Sequence, residues 1–162
     1  MAADIPFSDY LEIHNLIFQW SESYDTKNWE LLRQLLAPSI RLDFRGLHGA
    51  LHDQISPDEY VAILSDKKLI GDERLKTQHL VGASKWERVS DGAIEVVLQL
   101  RVAHQRYTAD DLQVVENKGH AHGFATHRYR KFQGAWKLES VAPKLVWSEY
   151  DLLGTLNPKE NS

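Results

Sequence analysis

The segment LKTQHLVGASKWERVSDGAIEVVLQLRVAHQRY, residues 75–107, decides the fold class of this chain of 162 residues. Apolar and polar residues alternate on both sides of SDGA, residues 90–93, whose small and polar side chains favour a turn. Because adjacent residues of a strand point to opposite faces, the alternation predicts two long neighbouring strands, at 75–89 and 93–107.

Strand patterns continue toward the C-terminus, whereas helical patterns come before the segment. Alternating stretches at 113–132 and 135–148 are separated by the turn sequence FQGA. Apolar residues spaced by three and four predict a helix at 7–24, and shorter helices are predicted at 29–36 and 57–67. Helices followed by a meander of antiparallel strands predict an α+β fold.

Two shorter stretches carry local signals. SPDE, residues 56–59, has the serine, proline and glutamate of a capping box, which predicts the start of the third helix. In SIRLDFRG the residues Ile40, Leu42 and Phe44 alternate with charged residues, which predicts a strand. We therefore expect Phe44 to share the buried face of that strand.

Composition limits the class of protein. A chain that is 43% hydrophobic and 26% charged can bury its own core, so we expect one domain over residues 1–162. The net charge of −4 argues against nucleic acid as a partner, and the lack of cysteine excludes disulfides and thiolate chemistry. No apolar run approaches the roughly 20 residues that span a bilayer, and no signal-peptide pattern is present, so we expect a cytoplasmic protein without membrane contact.

Strand parity predicts which histidines point inward. In LQLRVAHQRY, His104 shares a face with Leu98 and Val102, and in KTQHLVG, His79 shares a face with Val81. Both histidines are therefore expected on the inner face of neighbouring strands. A histidine on an apolar face can equally be a hydrogen-bonded core residue, so this alternative stays open.

The stretch KGHAHGFATHRYRKF, residues 118–132, divides its side chains between two faces. The small row that leaves room for a ligand consists of Ala121, Gly123 and Ala125 and continues to His127. His120 and His122 point the other way and are expected to support the sheet or an interface. They could bind a metal, but catalytic zinc needs three convergent ligands and no third ligand has suitable spacing, so we expect no metal.

Tyr24 and Asp25 end the face of the first helix and are expected near His79 and His104. Histidine exchanges protons near neutral pH, a carboxylate fixes its orientation, and a tyrosine hydroxyl can polarise a carbonyl. The combination favours proton abstraction next to a carbonyl group. The alternative is that Tyr24 is a core aromatic residue and Asp25 a residue of the helix C-terminal turn.

At these residues the sequence closely resembles the scytalone dehydratase family. Matching stretches, in the same order and with similar spacing, are WSESYDTKNWELLRQLLAP, IRLDFRG, SDKKLIGD, LKTQHLVG, LRVAHQRY and KGHAH. The resemblance implies a cone-shaped α+β barrel of the NTF2-like class, with helices on a curved, mostly antiparallel sheet. It also implies a homotrimer and a dehydration of a β-hydroxy ketone that needs no cofactor.

The resemblance implies a role for each matching residue. Tyr24 would hold a water on the substrate carbonyl, and Asp25 would orient His104. His79 and His104 would move the protons, one as the base at the α-carbon and one assisting the departure of hydroxide. Lys67 matches a lysine near the pocket.

Three positions depart from the family pattern. Phe44 replaces a tyrosine, Gly123 replaces a serine and Ala125 replaces an asparagine, which predicts a wider and more apolar pocket. The other positions that the resemblance places against the substrate are Trp20, Leu47, Leu69, Pro143 and Leu152. Residues 148–162 are expected to form a lid or tail over the pocket.

We therefore expect a lyase that dehydrates a cyclic polyketide in fungal secondary-metabolite or pigment biosynthesis, and not scytalone itself. One alternative is a cyclase, isomerase, decarboxylase or pericyclase that uses the same pocket. Another is a domain that binds a small molecule without catalysis, because folds of this class also serve that purpose.

Overall fold

A computed structural model describes residues 4–47 and 49–157. In chain order the helices are α1 (Phe7–Thr26), α2 (Trp29–Leu35), α3 (Pro57–Leu64) and α4 (Leu152–Leu156). The strands are β1 (Leu36–Asp43), β2 (Leu51–Ile55), β3 (Leu75–Ser90), β4 (Ala93–Tyr107), β5 (Val115–Phe132) and β6 (Ala135–Tyr150). A short 3-10 helix, Phe44–Leu47, connects β1 to β2.

The strands form one sheet in the order β2-β1-β6-β5-β4-β3. All neighbours are antiparallel except β1 and β6, which run parallel. The meander of β3 to β6 confirms the prediction of an α+β fold with a mostly antiparallel sheet. Register shifts, for example between Val81 and Ser84 on β3, interrupt the regular pairing and allow the long strands to bend.

The core lies between the helices and the inner face of the sheet. α1 packs on β3 and β6, and α3 packs on β1 and α2. The buried residues of α1 include Ile13, Ile17, Trp20 and Tyr24, which recur at the spacing of one helix face. Leu98 of β4 is fully buried in the same core cluster. Burial of each such side chain contributes about 1.5–3 kcal/mol, which holds α1 against the sheet.

Helix ends place two of the candidate residues. α1 ends at Thr26, and Lys27 follows in the left-handed region with φ 54°, so Tyr24 and Asp25 occupy the last turn. The capping box at Ser56 is present, as predicted, although α3 ends at Leu64 and not at Lys67. None of the helices in residues 4–47 and 49–157 has the length and the apolar character needed to cross a membrane.

The prediction that β1 extends to Phe44 is wrong, although the Phe44 side chain does pack against the core. β1 ends at Asp43, and Phe44 begins the 3-10 helix and is only half-buried. The Phe44 N–H donates to Ala50 O and the Gly49 N–H donates to Phe44 O, both at 2.9 Å. These bonds close a tight connection to β2, a strand too polar to be predicted from alternation.

Candidate active site

Asp25 and His79 form a hydrogen-bonded pair where α1 meets β3. The His79 Nδ1–H donates to Asp25 Oδ1 at 2.6 Å, and the His79 backbone N–H donates to Oδ2 at 2.8 Å. The Thr77 hydroxyl donates to Oδ1 at 2.9 Å. Because the carboxylate fixes the proton on Nδ1, the Nε2 atom of His79 carries a free lone pair.

The interpretation that Asp25 orients His104 is therefore wrong. The last turn of α1 packs on β3, so the carboxylate reaches Thr77 and His79 before it could reach the next strand. His104 instead donates from Nδ1 to the carbonyl oxygen of Gly119 on β5, at 3.2 Å.

His104 lies diagonally across from His79 on the inner face of the sheet. Thr77 pairs with His104 and His79 pairs with Val102, so the two histidines are about 7–8 Å apart at their backbones, within reach of long side chains. Burial lowers the pKa of His104 to about 4, and the neighbouring His79 lowers it in the same direction. His104 is therefore neutral at neutral pH, and because its Nδ1 donates to a carbonyl, Nε2 is the acceptor atom of the ring.

Tyr24 brings a buried hydroxyl to the same place. Its ring meets the His79 ring edge-on, with the ring centres 5.2 Å apart. Its hydroxyl lies 2.6 Å from the hydroxyl of Tyr60 on α3, and burial raises the pKa of both groups. Both are therefore protonated hydrogen-bond donors. Tyr60 was missed by the sequence interpretation, although it shares a helix face with Leu64.

Trp20 packs against the aromatic rings of the cluster, and its contact with a substrate stays a prediction. Its ring centre lies 4.9 Å from that of Tyr24, 5.4 Å from that of His79 and 4.4 Å from that of His127. His127 is fully buried, as its strand parity indicated, and its Nδ1 lies 2.9 Å from the Tyr129 hydroxyl. Burial lowers the pKa of His127 to about 3, so this histidine is a neutral core residue.

The C-terminal helix α4 packs on β5 and β4 next to Gly119, whose carbonyl oxygen accepts from His104. A Cβ atom at Gly119 would lie 2.3 Å from the Leu152 Cα atom, so glycine is needed for this close approach. Leu152, the first residue of α4, is buried. It lies against the part of β5 around Gly119, whose carbonyl oxygen accepts the hydrogen bond from His104. The part of the predicted lid in residues 148–157 therefore lies next to the site, and residues 158–162 lie outside the described residues.

Arg106 connects α4 to the rest of the site. This side chain is 1% exposed and donates to the carbonyl oxygens of Thr155, at 2.8 Å, and Leu156, at 3.4 Å. It also donates to Asp72 at 2.6 Å. Arg106 was missed by the sequence interpretation because arginine is usually a surface residue, although its strand parity matches that of His104.

Three of the remaining predicted contact residues pack on the sheet or the core, and one, Lys67, lies on the surface. Phe44 and Leu47 lie on the 3-10 helix that packs on β6, where Gly46 closely approaches the carbonyl of Pro143. Leu69 is partly buried against the core. Lys67 is not brought to the histidines. It is exposed and lines a surface depression with charged residues, which include Asp72, Glu73 and Arg74.

Gly123 does not widen the site as predicted. Ala125 is fully buried in the sheet, paired with Leu98 and Pro143. A Cβ atom at Gly123 would lie 2.0 Å from the carbonyl oxygen of Lys144, at a register shift between β5 and β6. The glycine is therefore required by the close approach of two strands, and a serine there would meet backbone.

The prediction that His120 and His122 face away from the site is confirmed. Their ring nitrogens lie 3.2 Å and 3.4 Å from Glu149 Oε2, and the His122 ring stacks on Trp147 with centres 3.7 Å apart. Within the described parts of the chain, no group of three or more His, Cys, Asp or Glu side chains is arranged to hold a metal ion.

Comparison with known proteins identifies the family. The sequence model of the family described as scytalone dehydratase matches residues 4–161. The chain belongs to the scytalone dehydratase family. It is 43% identical over 150 residues to the scytalone dehydratase of Colletotrichum orbiculare, covering 93% of this chain and 80% of that protein. It is 42% identical over 151 residues to the dehydratase AgnL8 of Paecilomyces divaricatus, covering 93% of this chain and 87% of the relative.

Solved structures share the fold at low sequence identity. A protein of the NTF2-like family from Streptomyces avermitilis has a TM-score of 0.72 and 16% identity, covering 88% of this chain and 99% of that one. The protein Kfla4162 from Kribbella flavida has a TM-score of 0.74 and 18% identity, covering 88% and 93%. These similarities confirm the predicted fold, which is also the fold of a protein of the NTF2-like family.

Proposed function

We propose that this protein is a hydro-lyase that removes water from a cyclic β-hydroxy ketone without a cofactor. The observation that carries the proposal is the Asp25–His79 pair placed edge-on to the Tyr24 ring. A lone histidine on an apolar strand would favour a structural role. A histidine with a carboxylate on one ring nitrogen and a free lone pair on the other has the arrangement of a general base.

In this proposal His79 Nε2 accepts the proton from the carbon next to the substrate carbonyl. The imidazole ring then becomes a cation, and Asp25 lies 2.6 Å from its Nδ1 atom to stabilise that charge. His104 has a carbonyl oxygen at the corresponding position and stabilises a cation less. The base is therefore assigned to His79.

Tyr24 donates a hydrogen bond to the carbonyl oxygen, directly or through a water. Negative charge develops on this oxygen as the proton leaves the α-carbon, so a donor placed there stabilises the transition state. Removal of one such donor typically lowers the rate by about 10²–10³. Burial raises the pKa of Tyr24 and keeps its hydroxyl protonated.

His104 accepts a hydrogen bond from the β-hydroxyl at its Nε2 atom. This orients the hydroxyl so that its oxygen lone pairs remain available, the protonated His79 donates to that oxygen, and the C–O bond breaks as the group leaves as water. The ring gains a double bond, and the product then shifts a ring proton to the carbonyl oxygen to become an aromatic phenol, which drives the reaction forward. One C–H bond and one C–O bond are broken, one water is formed, and no oxidant or reductant is required.

The proposed substrate class is a cyclic polyketide of fungal secondary metabolism or pigment formation. The curated relatives include scytalone dehydratases and dehydratases with other names, which supports the reaction class more than a particular substrate. Phe44 has no hydroxyl and Ala125 has no polar group, so the chain offers few partners for a heavily hydroxylated ring. We therefore propose a substrate other than scytalone.

The test is product analysis with a panel of bicyclic β-hydroxy ketones, including scytalone, that become naphthols on dehydration. The expected result is a naphthol lighter than its substrate by one water, and its loss in His79→Ala and His104→Ala variants that remain folded. A product of unchanged mass would instead support a cyclase or isomerase. Tight binding of panel members without conversion would support a binding protein.

We also propose that the protein is a homotrimer. The outer face of β3 to β6 exposes large apolar side chains that a second copy could cover: Leu80, Phe124, Val146 and Trp147. Light scattering should give the mass of three chains, and Trp147→Glu should lower that mass. A monomer at high concentration would contradict the proposal.

A further inference from the structure

The hydroxyl groups of Tyr24 and Tyr60 form a buried pair. Tyr24 lies in the last turn of α1, Tyr60 lies in the first half of α3, and their hydroxyl oxygens are 2.6 Å apart. The two residues are 5% and 0% exposed. A buried hydroxyl without a partner is unfavourable by about 1–3 kcal/mol, so the pairing itself has a physical cause.

The pair has one donor hydrogen more than it has partners. Two hydroxyls carry two hydrogens, and their mutual hydrogen bond uses one of them. The indole N–H of Trp20, whose ring packs on Tyr24, faces the two hydroxyl oxygens and acts to lower the pKa of both groups, although it makes no well-aligned hydrogen bond within residues 4–47 and 49–157. A donor to the oxygens does not use the second hydroxyl hydrogen, which has no acceptor in the same part of the chain. A spare donor hydrogen in a buried cluster indicates that an oxygen atom of a ligand completes it.

Tyr60 is fixed in place more firmly than a loop residue. The capping box of Ser56 and Glu59 holds the first turn of α3, and Val61 and Leu64 bury the same helix in the core. Phe44, which also packs against the core, is half-buried and has no hydroxyl. Tyr60 is therefore the residue that presents a hydroxyl to Tyr24.

We propose that Tyr60 is a positioning residue for catalysis: its hydroxyl donates to the Tyr24 oxygen and so turns the Tyr24 O–H toward the carbonyl oxygen of the substrate. This inference rests on the proposed dehydration. No proton moves between the tyrosines. Two consecutive hydrogen bonds strengthen each other, so the Tyr24 O–H becomes a better donor as charge develops on the substrate oxygen.

The first test compares Tyr60→Phe with Tyr129→Phe. Both variants remove one hydroxyl from a fully buried tyrosine with one side-chain partner, and Tyr129 bonds to His127 instead of Tyr24. With a panel ketone that the parent protein dehydrates, Tyr60→Phe should lower kcat by about 10- to 100-fold, somewhat less than loss of a direct donor, and change KM by less than about threefold. Tyr129→Phe should lose similar stability and keep kcat.

The second test reads the hydrogen bond without turnover. A bicyclic ketone that lacks the β-hydroxyl cannot lose water, and its ¹³C-labelled carbonyl can be followed by infrared difference spectroscopy. Donation from Tyr24 should lower the C=O stretching frequency in the parent protein. In Tyr60→Phe the C=O stretching frequency should rise most of the way back to that of the free ketone. In Tyr129→Phe it should equal the frequency of the parent complex.

The outcomes separate this inference from the proposed function. If the parent dehydrates a ketone and Tyr60→Phe matches it in kcat and carbonyl frequency, the positioning role is overturned while the dehydratase assignment stands. If the parent dehydrates nothing in the panel, the assignment fails and the carbonyl frequency decides the role of Tyr60. An equal frequency in parent and Tyr60→Phe, or no bound ketone at all, then overturns the role.

Discussion

Arg106 on β4 donates a hydrogen bond to the carbonyl oxygen of Thr155 at the C-terminal end of α4, with the two atoms 2.8 Å apart. The same guanidinium donates to Asp72 in the connection between α3 and β3. A buried cation thus satisfies carbonyl groups that a helix end leaves without partners. Because α4 starts beside Gly119, the residue that holds His104, this contact joins the C-terminal segment to the site.

The first prediction concerns this contact. Arg106→Met keeps most of the side-chain volume and removes both hydrogen bonds that the Arg106 guanidinium makes to α4. Loss of one partner of a buried ion pair is destabilising by about 3–5 kcal/mol, so the free energy of unfolding should fall by roughly that amount. Urea unfolding measures it, and hydrogen exchange should rise in residues 152–157.

A matched control is Arg74→Met. Arg74 also pairs with Asp72, but its side chain is 40% exposed, so its loss should change stability by less than about 1 kcal/mol. Equal losses in the two variants would show that burial of Arg106 and its contacts to α4 do not matter.

The second prediction tests which histidine Asp25 holds. Asp25→Ala removes the acceptor from His79 Nδ1 and leaves the bond between His104 and Gly119 unchanged. The ¹⁵N NMR shifts of the His79 ring should therefore change toward a mixture of tautomers, and those of His104 should stay in place. The rate of dehydration should fall by a factor of about 10²–10⁴, the range for loss of general-base function.

Thr77→Val is the control for that experiment. It removes one of three donors to the Asp25 carboxylate and leaves both bonds from His79. The ring shifts of His79 should then stay close to those of the parent. A change at His104 in the Asp25→Ala variant, without a change at His79, would contradict the assigned pairing.

Most of the sheet could be predicted because strand parity and turn sequences are local signals. Alternation located β3 to β6 to within a few residues and placed His79, His104 and His127 on the inner face. Residues with special backbone contacts were harder to interpret. Gly123 looked like a gap in the pocket from its neighbours, but the carbonyl that fills the gap belongs to Lys144 on the next strand.

The sequence does not predict which distant side chains form hydrogen bonds with each other. Asp25 could have reached either histidine, and only the packing of α1 on β3 selects His79. Tyr24 and Tyr60 are 36 positions apart, so their contact depends on how α1 and α3 meet. Arg106 had the parity of a buried residue, and its partners on α4 follow from the path of the C-terminal segment.

The third prediction concerns Gly123. Gly123→Ser places a side chain against the Lys144 backbone carbonyl, which cannot rotate away. Overpacking of this kind typically lowers the free energy of unfolding by about 1–3 kcal/mol. Gly82→Ser on β3 is the control, because its nearest neighbour is the flexible side chain of Gln99, at 3.2 Å. Thermal unfolding that ranks the two variants in the opposite order would contradict the contact.

The two buried histidines determine how stability should respond to acid. Burial lowers the pKa of His104 to about 4 and that of His127 to about 3, whereas an unfolded histidine titrates near 6.5. Below pH 6.5 the unfolded chain therefore binds protons that the folded chain does not. The free energy of unfolding is unaffected by these groups above pH 6.5 and falls as the pH is lowered toward the folded values.

The fourth prediction concerns how steeply the free energy of unfolding falls as the pH is lowered, a slope that one substitution should reduce. Between pH 6 and pH 4 each buried histidine should lower the free energy of unfolding by up to about 1.4 kcal/mol per pH unit. His127→Gln should remove one histidine's share of that slope, whatever it does to stability at pH 7. His14→Gln, on the exposed side of α1, should leave the slope as it is in the parent. Urea unfolding at several pH values measures the difference, and an unchanged slope in His127→Gln would show that this histidine takes up its proton in the folded protein because water reaches it.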